Sequence, residues 1–326
     1  MNSSRCTACT ASLGPAACSS CGRTTRGGLR PGVWVLDRYR LTKEMGDDGL
    51  GLTWLALDGD GHTVTLSVLH DALFRTPLER DRFHLEMQRF RSFSHTHAQP
   101  QLDFGTLADG AVTWVGAWHF GLTLAAAVAR GPLHPSDASR IVEQIARALG
   151  ALHSVGLIHG DVKPETVLCA DSSSFINSGW LLNVGLFASL LASRAGDEGG
   201  TVLGTPPYMA PERFTGAKAN ARSDLYALAL VAYEMFEGRS PYAATTAWEW
   251  AKCHLTGEPR PWSTPASPQT ASPRMRAAIS RCLMKSPDAR FATAEEFLKA
   301  ACEPAEALAA GMPFGPPGAG PYRGGR

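Results

Sequence analysis

No apolar run in this 326-residue chain is long enough to cross a bilayer, which takes about 20 residues; the longest, such as Leu225 to Phe236, stop well short. The first 28 residues lack the apolar stretch of a secretory leader. Net charge is almost absent as well, with 31 Lys and Arg against 30 Asp and Glu. No overall field therefore draws the protein toward nucleic acid or an anionic membrane. There is no internal repeat beyond two short cysteine pairs, which sets aside stacked-repeat folds. These absences lead to the expectation of a cytoplasmic globular protein. A 44% hydrophobic content over this length can bury one large core or two smaller ones.

What is present begins with cysteine. Of eight Cys, four are scattered (Cys169, Cys253, Cys282 and Cys302) and read as small buried hydrophobes in a reducing compartment. The other four are clustered as Cys6-x-x-Cys9 and Cys18-x-x-Cys21. Two knuckles of this form offer four thiolates from two tight turns, a donor set that suits a closed tetrahedral zinc site. Residues 1–26 hold too few apolar side chains to fold alone, so metal binding would supply their folding energy. The module resembles short zinc ribbons. Such modules can bind nucleic acid, but only Arg5, Arg23 and Arg26 lie nearby, so nucleic acid is not the expected partner. Residues 27–32, with Arg30-Pro31-Gly32, read as a linker.

From Val33 to about Glu303 the pattern is α+β. Tyr39-Arg40-Leu41, Thr53 to Leu57 and Thr63 to Leu69 are alternating or β-branched runs and predict strands. Glu79 to Phe93 carries Phe83, Met87 and Phe90 on one helical face. Ala111 to Trp118 predicts a further strand. Pro135 to Val155 predicts a long amphipathic helix with Ile141, Ile145, Ala148 and Leu152 inward, and Leu225 to Glu237 a nearly all-apolar buried one. Glu258 to Arg274 is dense in Pro, Ser and Thr and reads as a loop. Residues 304–326 are Gly/Pro-rich at their end and read as a disordered tail.

Four motifs follow one another in the second half: Leu157-Ile158-His159-Gly160-Asp161-Val162-Lys163-Pro164-Glu165-Thr166, then Gly204 to Glu212 ending in Ala-Pro-Glu, then Ser223-Asp224-Leu225-Tyr226, then Asp288-Ala289-Arg290-Phe291. In this order they resemble the motifs of bacterial serine/threonine protein kinases. The resemblance implies a two-lobed kinase-like fold, with a β-rich N-lobe over about 33–118 and a helical C-lobe over about 119–303. It also implies that Glu212 and Arg290 pair, tying the activation segment to the last helices.

The same resemblance implies what chemistry to look for, and most of it is altered. The position of the ATP-holding Lys reads Ser67, in Val64-Thr65-Leu66-Ser67, which would leave Glu86 of the helix without its ion-pair partner. Lys43 is a conceivable substitute, or an ordinary exposed strand lysine. The D-F-G position reads Asn183-Val184-Gly185, and Thr166 stands where an Asn would hold the second metal, so magnesium loses its carboxylate and amide ligands there. The glycine-rich loop is Gly46-Asp47-Asp48-Gly49-Leu50-Gly51-Leu52-Thr53, with Asp48 replacing a glycine. Thr53 and Thr65 place hydroxyls above the adenine position, while Leu168 supplies the apolar face below. Gly116 falls at the gatekeeper and would open space behind the hinge.

Asp161 and Lys163 are retained, as the family's catalytic base and its phosphate-facing partner. Asp161 can equally serve as a brace, accepting hydrogen bonds from Lys163 and Thr205. Gly160 removes the Arg that reads activation-loop phosphorylation, and Ser189, Ser193 and Thr201 remain as candidate acceptors or plain loop hydroxyls. The expectation is a pseudokinase with impaired ATP and magnesium binding and a structural zinc. Its partner would be a protein, such as an active kinase or that kinase's substrate. The alternatives are a weakly active serine/threonine kinase using Asp161 as base, and a zinc-module nucleic-acid adaptor.

Overall fold

The computed structural model describes residues 6, 9, 11, 14–172, 175–194, 203–263 and 271–302. The tail expected from residue 304 and the hydroxyl of Thr201 lie outside them.

The small lobe is built on one six-stranded antiparallel sheet. Its strands are β1 (Trp34–Val35), β2 (Tyr39–Asp47), β3 (Gly51–Leu57), β4 (Thr63–Leu69), β5 (Gln101–Thr106) and β6 (Val112–Ala117), in the spatial order β1-β2-β3-β4-β6-β5. The period-2 pattern buries Tyr39, Leu41, Trp54, Ala56, Val64 and Leu66 in one shared cluster. Helix α1 (Pro77–Arg89) crosses between β4 and β5. It begins two residues earlier than the apolar spacing predicts, because the Thr76 hydroxyl accepts from the Glu79 amide and Pro77 occupies the first turn. Phe83 and Met87 form its buried stripe.

The large lobe adds a three-stranded sheet of β7 (Leu122–Thr123), β8 (Val167–Ser172) and β9 (Phe175–Leu181). Around it pack α2 (Leu124–Val128), α3 (Pro135–Ser154), α4 (Leu186–Ser193), α5 (Pro211–Phe214), α6 (Ala221–Glu237), α7 (Ala247–Thr256), α8 (Pro273–Cys282) and α9 (Ala294–Ala301). Helix α6 is the centre. Asn220 caps its first amides in a reciprocal box with Ser223, and Gly238 ends it in the left-handed region at φ +66°. Leu225 to Phe236 are almost continuously buried, facing α3 on one side and α8 on the other. The two lobes expected from the resemblance are both present.

Two placements differ from the sequence reading. Residues 26–28, the last of the cysteine module and the first of the expected linker, form a 3-10 turn packed on that module: a Cβ added at Gly28 would stand 2.0 Å from the Ala16 carbonyl oxygen. Residues 186–193, read as loop, are the apolar helix α4, wedged between α1 and the loop at Gly160. Ser189 and Ser193 are consequently fully buried and are not accessible acceptors.

Glu212 and Arg290 do meet. The buried guanidinium donates to both Glu212 carboxylate oxygens at 2.8 Å and to the carbonyls of Met284, Lys285 and Arg222. All five N–H donors are thereby used. Removing one partner of such a pair strands a buried charge. Glu212→Gln is expected to lower stability by about 3–5 kcal/mol, read as a fall in the urea midpoint; an unchanged midpoint would refute the tie.

Candidate functional site: the cleft between the two lobes

The floor of the interlobe cleft is the loop 157–166, and its shape is set by one buried carboxylate. Asp224, near the start of α6, accepts from the amides of His159 (2.9 Å) and Gly160 (2.9 Å) and from the His153 ring (2.9 Å). His159 in turn bonds the Leu182 carbonyl at 2.9 Å, joining the loop to the end of β9. Burial pushes the Asp224 carboxyl up, but the imidazoles of His153 and His159 and the loop amides hold it below the ordinary carboxylate range.

Asp161 is placed by this framework. Its Oδ2 lies 2.7 Å from the Lys163 ammonium and its Oδ1 accepts from the Thr205 hydroxyl at 2.8 Å; Lys163 also donates to Thr205 at 3.1 Å. The three side chains form a closed triangle between the loop and the activation segment. Asp161 and Thr166 do not converge on a shared metal position through their side chains. Thr166 is buried, its hydroxyl bonding the main chain of Asp161 and Lys163 at 3.0 Å, so it closes the loop internally.

Asn183 adopts a left-handed conformation, φ +57°, one that Asn tolerates better than most residues. Its amide donates to Gln99, which also bonds the Ala117 carbonyl at 2.7 Å, so this turn is fastened to the hinge. Gly185, at φ +88°, is required: a Cβ there would lie 2.5 Å from the Phe90 ring. Gly160, at φ +83°, is covered by α4, with Leu191 3.0 Å from where its Cβ would be. An Arg there would be strained at this φ and would press on Leu191.

The roof is uncharged. Thr53 and Ser67 are cross-strand partners on β3 and β4, and their hydroxyls bond each other at 2.9 Å, with Ser67 buried. Thr65 lies on the same face as Ser67, two residues earlier on β4. The structure does not join Ser67 to Glu86. Glu86 instead pairs with Arg89 of its own helix at 2.7 Å, and the carboxylate that α1 buries is that of Glu79, which accepts from the Arg75 amide at 2.7 Å. The opening expected behind Gly116 is also absent. Trp114, two residues earlier on the same strand face, lays its indole over Gly116, 2.3 Å from where a Cβ would be. Leu168 lies below, on β8, packed near Gly121.

The glycine-rich turn between β2 and β3 shows a feature that the residue types alone do not reveal. Asp48 Oδ1 accepts from the amides of Leu50 (2.9 Å) and Gly51 (3.1 Å), and Asp47 Oδ1 accepts from Gly49 (2.8 Å). Such amides, in a phosphate-binding loop, face the anion. Here two carboxylates of the same turn take that place. Asp47 is held below the usual carboxylate range by the Gly49 amide and by His70, whose ring lies 2.8 Å away. Gly51 lets this turn approach β4, since a Cβ would meet the Val68 carbonyl oxygen at 2.3 Å; Gly46 is left-handed at φ +117°.

A second cluster lies on the outer side of the small lobe. The sulfurs of Cys6, Cys9, Cys18 and Cys21 all lie within 4.8 Å of one another, with Cys6–Cys21 at 3.7 Å and Cys9–Cys18 at 3.5 Å. A tetrahedral centre with metal–sulfur bonds of about 2.3 Å sets its sulfurs about 3.8 Å apart, so the spacing fits zinc. Backbone amides of Cys21 and Ser20 lower the Cys18 thiol to about 6, while at Cys21 the Arg23 amide is outweighed by desolvation and the neighbouring sulfurs, which raise it to about 11, so the Cys18 thiolate forms readily and Cys21 needs the metal's charge.

A model of the protein kinase domain matches residues 86–301. The serine/threonine-protein kinase pkn3 of Myxococcus xanthus is 32% identical over 277 residues, covering 82% of this chain and 50% of that protein. PknD of Mycobacterium tuberculosis is 33% identical over 269 residues, covering 81% of this chain and 39% of that protein. The chain thus spans half or less of the length of these relatives. The solved kinase domain of Mycobacterium tuberculosis PknI is similar at a TM-score of 0.64 and 25% identity, covering 87% of this chain and 100% of that one.

Because Asp224 has a lower pKa folded than unfolded, the stability it contributes is complete above about pH 4 and lost as pH falls through the folded value. Urea midpoints from pH 7 to pH 3 are expected to drop more steeply below about pH 4 for the native chain than for Asp224→Asn. Parallel curves would contradict this.

Proposed function

The chain belongs to the protein kinase family, with bacterial serine/threonine kinases among its relatives, and from that premise we propose that it works as a pseudokinase: a binding or regulatory protein that keeps the kinase shape without efficient phosphotransfer. The observation that carries this reading is the self-filled turn, in which Asp47 and Asp48 occupy the amides of Gly49, Leu50 and Gly51. An incoming triphosphate would have to displace two carboxylates and then sit beside them as a like charge. The uncharged Ser67 roof, the amide of Asn183 and the inward Thr166 hydroxyl support the same conclusion, because phosphoryl transfer depends on charge neutralisation at those positions. Loss of one such stabiliser raises a barrier by roughly 3 kcal/mol.

Lys163 and Thr205 leave Asp161 a structural duty that does not require substrate. The second reading, a weakly active kinase, is favoured by the retention of Asp161 and Lys163 and by the similarity to serine/threonine-protein kinases. For the pseudokinase, the expected partner is a protein, and an active kinase or its substrate is the natural class. We further propose that Cys6, Cys9, Cys18 and Cys21 hold a structural zinc, the donor set and sulfur spacing being the support.

A ligand present at 100 times its dissociation constant stabilises a protein by about 2.7 kcal/mol. A thermal melt with and without millimolar ATP and magnesium is expected to show no shift. A rise of several degrees that disappears on chelating magnesium would overturn the loss of nucleotide binding.

A further inference from the structure

The cysteine module is not a free appendage. Cys6 and Cys18 pack on Ala108, in the turn between β5 and β6, and the Ala108 amide donates to the Thr24 carbonyl at 3.0 Å. The Thr24 hydroxyl bonds the Trp34 carbonyl of edge strand β1 at 3.0 Å. The module therefore bridges the two open edges of the sheet, β1 and the end of β5.

Arg26, at the foot of the module, extends the contact toward α1. Its amide donates to Asp109 at 2.9 Å, and its guanidinium meets both carboxylate oxygens of Asp71 at 3.0 and 3.1 Å. Asp71, just beyond β4, is also held by Arg80 of α1 at 2.8 Å. Arg80 then reaches the Gly110 carbonyl at 3.3 Å, back in the β5–β6 turn that carries Ala108 and Asp109. The hydrogen bonds form a ring: module, Asp71, α1, β5–β6 turn, module. Isolated surface ion pairs contribute little. A bidentate Arg–carboxylate contact inside a network is the exception, because each member fixes the geometry of the next.

We infer that the four-cysteine module is a metal-dependent clamp on α1: with metal bound it fixes the N-terminal half of that helix through Arg26, Asp71 and Arg80, and loss of metal releases it. The inference rests on the metal reading of the cysteines. Without metal the module cannot hold its own fold, so Arg26 loses the backbone position from which it grips Asp71. The consequence extends beyond α1, since Phe83 and Met87 pack against Leu186, Phe187 and Leu190 of α4. Release of α1 is thereby transmitted to the packing of α4.

The test uses the full chain, reduced, either zinc-loaded or stripped with a chelator, with metal counted and amide exchange followed across residues 77–89. The expected result is one zinc per chain and exchange in α1 roughly tenfold faster after stripping. Asp71→Asn, remote from the cysteines, should speed α1 exchange in the loaded protein while the zinc count stays at one. Zinc bound, with α1 exchange unaffected by stripping or by Asp71→Asn, overturns the clamp and leaves the metal site standing. A zinc count of zero overturns the metal reading, and the inference with it.

Discussion

A single buried carboxylate, Asp224, fixes the path of the loop on which the rest of the large-lobe site depends. Its two oxygens gather the amides of His159 and Gly160 and the His153 ring, and from that anchor Asp161, Lys163 and Thr166 take their positions. A carboxylate this deeply buried is tolerable only when both oxygens are hydrogen-bonded, as they are here. The site therefore has a rigid floor whether or not any nucleotide binds. The residues that build shape and those that do chemistry are separable. Asp224, His159, Glu212 and Arg290 contact protein alone, and all of them are present in bonded form. Ser67, Asn183, Thr166 and Asp48 stand where the family pattern contacts nucleotide or metal, and each differs from it.

The altered positions are not vacant. The Asp47 and Asp48 carboxylates take the turn amides, the Thr53 hydroxyl bonds Ser67, and Trp114 covers Gly116. Of these groups Ser67 is buried, so its bond to Thr53 avoids the roughly 1–3 kcal/mol that an unpaired buried hydroxyl would cost. On the proposed reading, these internal bonds compete with a nucleotide for the same groups.

Much of this was legible in the sequence, and the limits are instructive. The Glu212–Arg290 tie and the Asp161–Lys163–Thr205 triangle follow from motif residues whose partners are fixed by fold. Helix α4 was not legible, since eight mostly apolar residues after Gly185 are too few for periodicity to separate helix from buried loop, and packing between α1 and Gly160 decides the matter. Gly116 shows a missing side chain, but only coordinates show that Trp114 fills it. Asp48 announces a charge near phosphate, not that its oxygen turns back onto Leu50 and Gly51. Ser67 shows that Glu86 lacks the family's lysine, but not that Arg89, one helical turn away, pairs with it instead. Docking of the cysteine module through Arg26 and Ala108 has no local sequence signal at all, because it joins segments more than 40 residues apart.

The account is tested most directly by phosphotransfer itself. Purified protein incubated with labelled ATP, magnesium or manganese, and a general protein substrate should transfer no more label than Asp161→Ala does under the same conditions. Transfer well above background that disappears in Asp161→Ala would show Asp161 acting as a base, and would contradict the claim that this loop now serves as a brace.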